Sequence, residues 1–158
     1  MEIKGVLYED YVNYKKPSML VMFPKCSFKC DKECGSPVCQ NSALVQGASI
    51  VVAADYLVKQ YLANPFTYAI VCAGLEPLDS FDDLLSFIHI IRQYTKDDIV
   101  IYTGYNEDEI DEMLMYQIKT YPNIYFKFGR FIPGHQPHFD EVLGVNLASD
   151  NQYGKKVS

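Results

Sequence analysis

The chain contains 158 residues, of which 49% are hydrophobic and 22% are charged, as in an ordinary soluble globular domain. Its formal charge of −6, from 20 acidic and 14 basic side chains, argues against non-specific binding of nucleic acid, which requires a basic face. No apolar run approaches the roughly 20 residues of a membrane span, and no signal peptide opens the chain. We therefore predict a single cytoplasmic domain over residues 1–158, with no membrane partner and with thiols that stay reduced.

In the first half of the chain, the pattern of apolar residues predicts two strands and one helix. Residues 3–8 are a weak strand candidate, and the continuously apolar residues 18–23 are typical of a strand buried on both faces. A cysteine-rich loop over residues 24–41 follows directly. Residues 49–63 then carry apolar side chains at helical spacing, and Asn64-Pro65 ends that helix because proline removes a backbone donor.

The second half alternates strands and helices. Further buried strands are predicted at residues 68–72, 99–102 and 124–128. Ser80 with Asp83, and Asn106 with Glu109, have the spacing of helix-capping pairs at the start of the two intervening helices. From residue 129 onward the tail is predicted to be irregular, because glycine and proline interrupt it.

This order of elements predicts an open α/β sheet. Strands alternating with amphipathic helices favour parallel pairing, and four such units are half the number needed to close an eight-stranded barrel. Ligands of these folds bind at the C-terminal ends of the strands. Because the cysteine-rich loop and the turns at residues 74–77 and 103–105 each follow a predicted strand, we expect them to line one site.

Four of the five cysteines lie in the cysteine-rich loop, at Cys26, Cys30, Cys34 and Cys39. Closely spaced thiolates select zinc, copper(I) or iron–sulfur clusters. Gaps of three, three and four residues do not match the paired knuckles of structural zinc sites. Four cysteines can still close a zinc or iron–sulfur site, whereas three leave one iron of a [4Fe–4S] cluster open to a substrate.

Two of these turns resemble the motifs of the radical S-adenosylmethionine (SAM) superfamily. Cys26-x3-Cys30 is similar to the opening of its C-x3-C-x2-C motif, and Gly74-Leu75-Glu76-Pro77 is similar to its Gly-Gly-Glu-Pro turn. More narrowly, the chain resembles the activating protein of the anaerobic (class III) ribonucleotide reductase. The supporting segments, within a match over residues 19–152, are Cys39-Gln40-Asn41, Ile101-Tyr102-Thr103-Gly104-Tyr105, Gly129-Arg130-Phe131 and Ser149-Asp150-Asn151-Gln152.

The resemblance implies a fold, two cofactors and a set of site residues. The fold would be an open, partial (βα) barrel of parallel strands with helices on its outer face. The cofactors would be a [4Fe–4S] cluster, held by Cys26, Cys30 and a third cysteine, and SAM. The SAM-binding residues would be Val38, Asn41, Gly74, Leu75, Glu76, Pro77 and Thr103. Within that set, the Gly74 and Leu75 carbonyls would bind the SAM amino group, Glu76 and Pro77 would fix the turn, and Thr103 would reach the ribose.

The third cluster ligand is either Cys39 or Cys34. In the family it comes two residues after the second cysteine, whereas here Cys34 comes after three residues and Cys39 after eight. We favour Cys39, because Gln40-Asn41 follow it as in the family, which makes the residues between Cys30 and Cys39 an insertion. Val38 stands where the family has an aromatic residue, so the adenine would meet an aliphatic surface.

The implied activity is reductive cleavage of SAM to a 5′-deoxyadenosyl radical, which installs a glycyl radical on the large subunit of an anaerobic ribonucleotide reductase. A low-potential electron donor would be a second partner. Residues 129–158 would either contact the reductase or seal an edge of the sheet. Two alternatives stay open: a radical SAM enzyme acting on a small molecule, such as a deazaguanine-forming synthase, and a non-catalytic four-cysteine metal module.

Overall fold

The computed structural model describes every residue, Met1–Ser158, and has a mixed six-stranded sheet at its centre. Its strands are β1 (Glu2–Ile3), β2 (Gly5–Asp10), β3 (Ser18–Phe23), β4 (Ile50–Val51), β5 (Ala69–Gly74), β6 (Asp98–Tyr102), β7 (Ile124–Phe128), β8 (His138–Asp140), β9 (Val145–Leu147) and β10 (Tyr153–Lys156). Its helices are α1 (Lys29–Cys34), α2 (Ser42–Gln46), α3 (Ala54–Ala63), α4 (Phe81–Ile91) and α5 (Glu112–Lys119). The central sheet has the order β10-β7-β6-β5-β3-β2.

The four middle strands of the sheet are parallel and were predicted from their apolar runs. β3 pairs with β5, β5 with β6 and β6 with β7, all in the parallel sense. Their side chains alternate between two buried faces: in β3, Met19 and Val21 lie on one face and Leu20 on the other. This burial on both faces explains why these strands lack the alternation of apolar and polar residues that marks a half-exposed strand.

One face of the sheet is covered by helices α3, α4 and α5. Their apolar stripes contribute residues such as Leu57, Phe87 and Ile118 to a core of 22 buried residues, which also contains Phe126 and Phe128 of β7. The three helices therefore lie on the same side of the sheet. None of the helices combines the length with the apolar character needed to cross a bilayer.

The opposite face of the sheet has a smaller core and carries non-helical chain. The segment before β3 packs there through Tyr14, whose hydroxyl donates to Asp98 at 3.0 Å. The β8–β9 hairpin covers part of the same face with Leu143 and Leu147. Because α3, α4 and α5 all lie on the other side, a cavity remains on this side at the C-terminal ends of the parallel strands.

Several sequence predictions of local structure are wrong in detail. The helix predicted over residues 49–63 begins at Ala54, because the β-branched Ile50 and Val51 instead form β4 and pair with β1. The Asn106–Glu109 pair does form a capping box, but it caps a single 3₁₀ turn, and α5 begins later with Asp111 as its N-cap.

The predicted sheet of parallel strands is confirmed only in part, because the sheet is mixed, and the prediction of an irregular tail is wrong. β2 and β10 pair antiparallel to β3 and β7 and form the two edges of the sheet, which stays open. The tail supplies β10 and the β8–β9 hairpin. Its strands escaped prediction because β10 reads Tyr-Gly-Lys-Lys, which has little β propensity and gains its order from pairing with β7.

Candidate functional site

A cavity of about 410 Å³ lies at the C-terminal ends of the parallel strands, on the face away from the helices. Residues from the cysteine-rich loop, from the turns after β5, β6 and β7, and from β9 contribute to its wall. Of the predicted site residues, those on the wall are Cys26, Cys30, Cys39, Asn41, Gly74, Leu75, Glu76 and Thr103. Val38 and Pro77 are not on the wall; Val38 is half-buried and Pro77 is buried behind it.

Three of the four loop cysteines share this cavity. Cys26, Cys30 and Cys39 are partly buried and line it, whereas Cys34 is exposed and does not. All the cysteines are free thiols. The three cavity cysteines are not gathered into a ready-made metal geometry, since no group of three or more His, Cys, Asp or Glu side chains is arranged to hold an ion.

Cys26 and Cys30 hold their protons more tightly than ordinary thiols do, because burial raises the pKa of each. Burial raises the pKa of Cys26 to about 11. Burial, with a further contribution from the neighbouring Cys39, also raises the pKa of Cys30. Soft metals bind the thiolate form, so ligation by these cysteines would release protons and would be favoured at higher pH.

The segment between Cys30 and Cys39 folds as a short helix that returns the chain to the cavity. α1 carries Cys30 in its first turn and ends at Gly35, which has a φ of 66°. Asp31 then accepts hydrogen bonds from the backbone amides of Val38 and Cys39, both at 2.8 Å. This carboxylate therefore holds the Cys39 backbone beside the helix that carries Cys30, while Cys34 at the far end of α1 faces solvent.

The turn after β5 is held against β3 by a close approach of two backbones. Gly74 has a φ of 90°, and a Cβ placed there would lie 2.9 Å from the Met22 Cα, so only glycine fits. The Leu75 amide donates to the Phe23 carbonyl at 3.1 Å, and the Glu76 amide donates to the Lys25 carbonyl at 2.7 Å. Leu75 has no positive φ, which explains why a side chain is tolerated at this position.

The Glu76 carboxylate connects the turns after β5 and β6. One oxygen accepts from the Leu78 amide at 3.1 Å, and the other accepts from the Gly104 amide at 2.8 Å. The side chain is buried, and burial raises its pKa to about 7 despite these hydrogen bonds, which act in the opposite direction. Glu76 therefore fixes the relative position of two of the three predicted turns.

The cysteine-rich loop is fastened to the same two turns. The Asn41 side-chain amide donates to the Gly74 carbonyl at 2.7 Å. Asp79 accepts from the Ser27 amide and, at 2.7 Å, from the Tyr105 hydroxyl. The three turns predicted to meet at one edge of the sheet are therefore joined by hydrogen bonds between side chains and backbone.

Thr103 is the most deeply buried of the predicted site residues on the cavity wall, with 2% of its surface exposed. Its hydroxyl accepts from the Tyr105 amide at 3.0 Å, and its own amide donates to the Lys127 carbonyl. These contacts shape the turn after β6. Any contact with a ribose would have to come from the second lone pair or the proton of this hydroxyl.

The turn after β7 is held by residues 149–152, one of the segments on which the family resemblance was based. The Asn151 side-chain amide donates to the Arg130 carbonyl at 2.9 Å, and Gln152 donates to the Gly129 carbonyl at 3.3 Å. Ser149 accepts from the Ile132 amide at 3.0 Å. The segments 129–131 and 149–152, separate in sequence, thus form one unit at the rim of the cavity.

Two basic residues on the cavity wall were not predicted as site residues. Arg130 is ion-paired with Glu109 and with Glu33 of α1, and the Arg130 guanidinium lowers the pKa of Glu109 to about 2. Lys127 is buried, and burial lowers its pKa to about 8. A signal for Lys127 was present: it is the only charged residue in β7, at a position that alternation directs away from the helices.

Comparison of this chain with protein-family models, with curated proteins and with solved structures finds no match.

Proposed function

We propose that this protein is an iron–sulfur enzyme of the radical SAM type, with an open, partial (βα) barrel, that activates an anaerobic ribonucleotide reductase. One observation carries the proposal: Cys26, Cys30 and Cys39 line the same cavity as the turns after β5 and β6, whereas Cys34 lies outside it. Three thiols can hold a [4Fe–4S] cluster and leave one iron open for a substrate.

The residues of this chain fit such a cluster chemically. The cavity supplies three soft sulfur donors, and its volume of about 410 Å³ is in the range of small-molecule sites. A cluster bound there would supply the electron that splits SAM into methionine and a 5′-deoxyadenosyl radical. Cys26, Cys30 and Cys39 would hold it. The exposed position of Cys34 does not support the alternative of a closed four-cysteine metal module.

The protein's own contribution would be binding and orientation. The Gly74 carbonyl accepts one hydrogen bond from Asn41 and keeps a second lone pair for the amino group of a bound SAM. Glu76 holds the turns after β5 and β6 in fixed register, so a ligand bridging them would meet a preorganised wall. Exclusion of water by the apolar cavity side chains would protect a reactive radical.

The decisive experiment is anaerobic reconstitution with iron, sulfide and a low-potential reductant, followed by measurement of 5′-deoxyadenosine formed from SAM. We expect turnover by the wild-type protein and none by Cys30→Ala. A fully loaded cluster that forms no 5′-deoxyadenosine would overturn the proposal, as would one zinc per chain with no iron.

The identity of the molecule that accepts the radical needs a separate measurement. Co-expression with an anaerobic ribonucleotide reductase should give a glycyl-radical signal by electron paramagnetic resonance. SAM cleavage without any glycyl radical would instead favour a small-molecule substrate, such as that of the deazaguanine-forming synthases.

A further inference from the structure

Lys127 is a buried cation in the cavity that the proposed function leaves without a role. It lies in β7, between Phe126 and Phe128, which both pack into the helix-side core. Alternation along the strand directs its side chain to the opposite face, where it lines the cavity with 8% of its surface exposed. A lysine is rarely buried this far unless it is paired.

The Lys127 ammonium group has no acidic partner. It donates to the Gly129 carbonyl at 2.6 Å and, weakly, to the Thr103 carbonyl at 3.5 Å. No carboxylate lies within 4.0 Å of it, although other lysines and Arg130 form ion pairs at that distance. An ammonium group has three donors, so at least one of them lacks a hydrogen-bond acceptor, and the only further contact is the face of the Tyr102 ring, 6.0 Å from the nitrogen.

The acid that acts on Lys127 forms no ion pair with it. Glu76 acts on Lys127 electrostatically, but it lies beyond ion-pair distance, and its two oxygens accept from the Leu78 and Gly104 amides. The second cation on the cavity wall, Arg130, is neutralised by Glu109 and Glu33. Lys127 is therefore the one cation of the cavity wall whose charge is not balanced by a direct partner.

We propose that the Lys127 ammonium group binds a carboxylate of a small molecule that enters this cavity. A single free cation close to the acidic Glu76 suits a monoanion better than a doubly charged phosphate. The partly apolar wall around it, with Leu147 and Ala148 opposite the strand ends, suits the uncharged remainder of such a ligand.

The carboxylate can come from two sources. One source is the amino-acid part of a SAM-like nucleoside, and this assignment rests on the proposed function. The other source is a separate substrate that carries a carboxylate, and this assignment does not depend on the proposed function. The carboxylate site itself requires only the geometry of Lys127, so it can be tested apart from either source.

The first test observes the ammonium group directly. Protein with isotope-labelled lysine is titrated with sodium acetate, with acetamide and with sodium chloride at matched ionic strength, and Lys127→Met assigns the Lys127 signal. We expect acetate to shift this NMR signal and acetamide and chloride to leave it nearly unchanged. Lys119 on the exposed face of α5 serves as an internal control, and its signal should respond equally to acetate and chloride.

The second test identifies the source. Calorimetry compares S-adenosylhomocysteine with 5′-methylthioadenosine, which lacks the amino-acid carboxylate. If the nucleoside brings the carboxylate, Lys127→Met should weaken binding of S-adenosylhomocysteine by about 10- to 100-fold and leave 5′-methylthioadenosine within about twofold. Lys119→Met should change neither affinity.

The acetate titration and the nucleoside calorimetry together distinguish three results. A response to acetate without discrimination between the nucleosides supports a carboxylate site for a separate substrate. A response to acetate with no nucleoside bound at all counts against the proposed function and still supports the carboxylate site. Equal responses of Lys127 to acetate, acetamide and chloride, with no effect of Lys127→Met on either nucleoside, would overturn the inference.

Discussion

At the scale of single residues, Gly74 and Glu76 determine the structure of the turn after β5. Gly74 permits the close approach to β3, and Glu76 then connects this turn to the next. Substitution of Gly74 should lower the stability of the fold at any pH, because the change is steric. Substitution of Glu76 should change how stability depends on pH, because its carboxyl group titrates.

Gly74→Ala should destabilise the fold strongly. Alanine at a φ of 90° is strained, and its Cβ would lie 2.9 Å from both the Cα and the Cβ of Met22, so the loss is expected to be about 3 kcal/mol. Gly134→Ala is the matched control, because Gly134 has a φ of 83° but no atom within 4 Å of the added Cβ. It should cost about 1 kcal/mol. Urea unfolding measures both values, and equal losses would contradict the steric argument.

Glu76 should make stability depend on pH. Its folded pKa of about 7 lies above its ordinary value of 4.5, so the folded state holds this proton more tightly than the unfolded state. The corresponding stability is complete below pH 4.5 and is lost as pH rises through about 7, by about 3 kcal/mol in all.

Glu76→Gln should remove this dependence, since glutamine does not titrate. The measurement is the free energy of unfolding by urea between pH 5 and 8, taken as the difference between variant and wild type. Exposed Glu141→Gln is the control and should follow the wild-type curve. Parallel curves for Glu76→Gln and wild type would show that the carboxyl does not hold its proton in the folded protein.

At the scale of elements, the position of α1 determines which cysteines line the cavity. The helix lies between Cys30 and Cys39, and the Asp31 carboxylate within it accepts hydrogen bonds from the backbone amides of residues 38 and 39. Cys34 ends the helix on its exposed side. Cys39 and Cys30 therefore line the same cavity although eight residues separate them in the sequence.

The third ligand of the proposed cluster can be identified by paired substitutions. Under anaerobic reconstitution, Cys39→Ala should lose most of its iron and sulfide, while Cys34→Ala should keep the wild-type content, because only Cys39 lines the cavity. Iron and sulfide analysis of the two variants provides the test. The reverse pattern would make Cys34 the ligand and would require α1 to unfold when the cluster binds.

Asp31→Ala extends this reasoning to a residue that is not among the proposed cluster ligands. Without its carboxylate the Val38 and Cys39 amides lose their acceptor, so the loop should loosen and release iron faster to a chelator. Lys32→Ala, on the exposed side of the same helix, is the control. Release at the wild-type rate from Asp31→Ala would show that these hydrogen bonds do not hold the ligand in place.

The parallel strands and the meeting of three turns were predictable from sequence because they depend on local patterns. Apolar runs such as Ser18–Phe23 are buried on both faces, and parallel order places their C-terminal ends together. The pairing of Asn151 with the Arg130 carbonyl was not predictable, because it depends on a contact between distant segments. The same reason explains the missed strand β10.

At the scale of the whole molecule, the open sheet ends in antiparallel strands at both edges. β2 covers one side of the parallel set and β10 covers the other. β10 also bonds to the β8–β9 hairpin, since the Gly154 amide donates to Asp140 at 2.7 Å. Of the two roles predicted for the tail, sealing an edge of the sheet is thus confirmed, and contact with a partner stays a prediction.

Deletion of residues 153–158 should expose this edge. The loss of β10 frees the outer backbone groups of β7 and uncovers Phe128, whose ring lies 5.3 Å from that of Tyr153. Unpaired strand edges promote association between chains, so we expect a lower melting temperature and concentration-dependent aggregation, measured by circular dichroism and light scattering. Lys156→Ala keeps the strand backbone and should behave as wild type. A truncated chain that stays monomeric with an unchanged melting temperature would show that the parallel strands and their helices are stable without this edge.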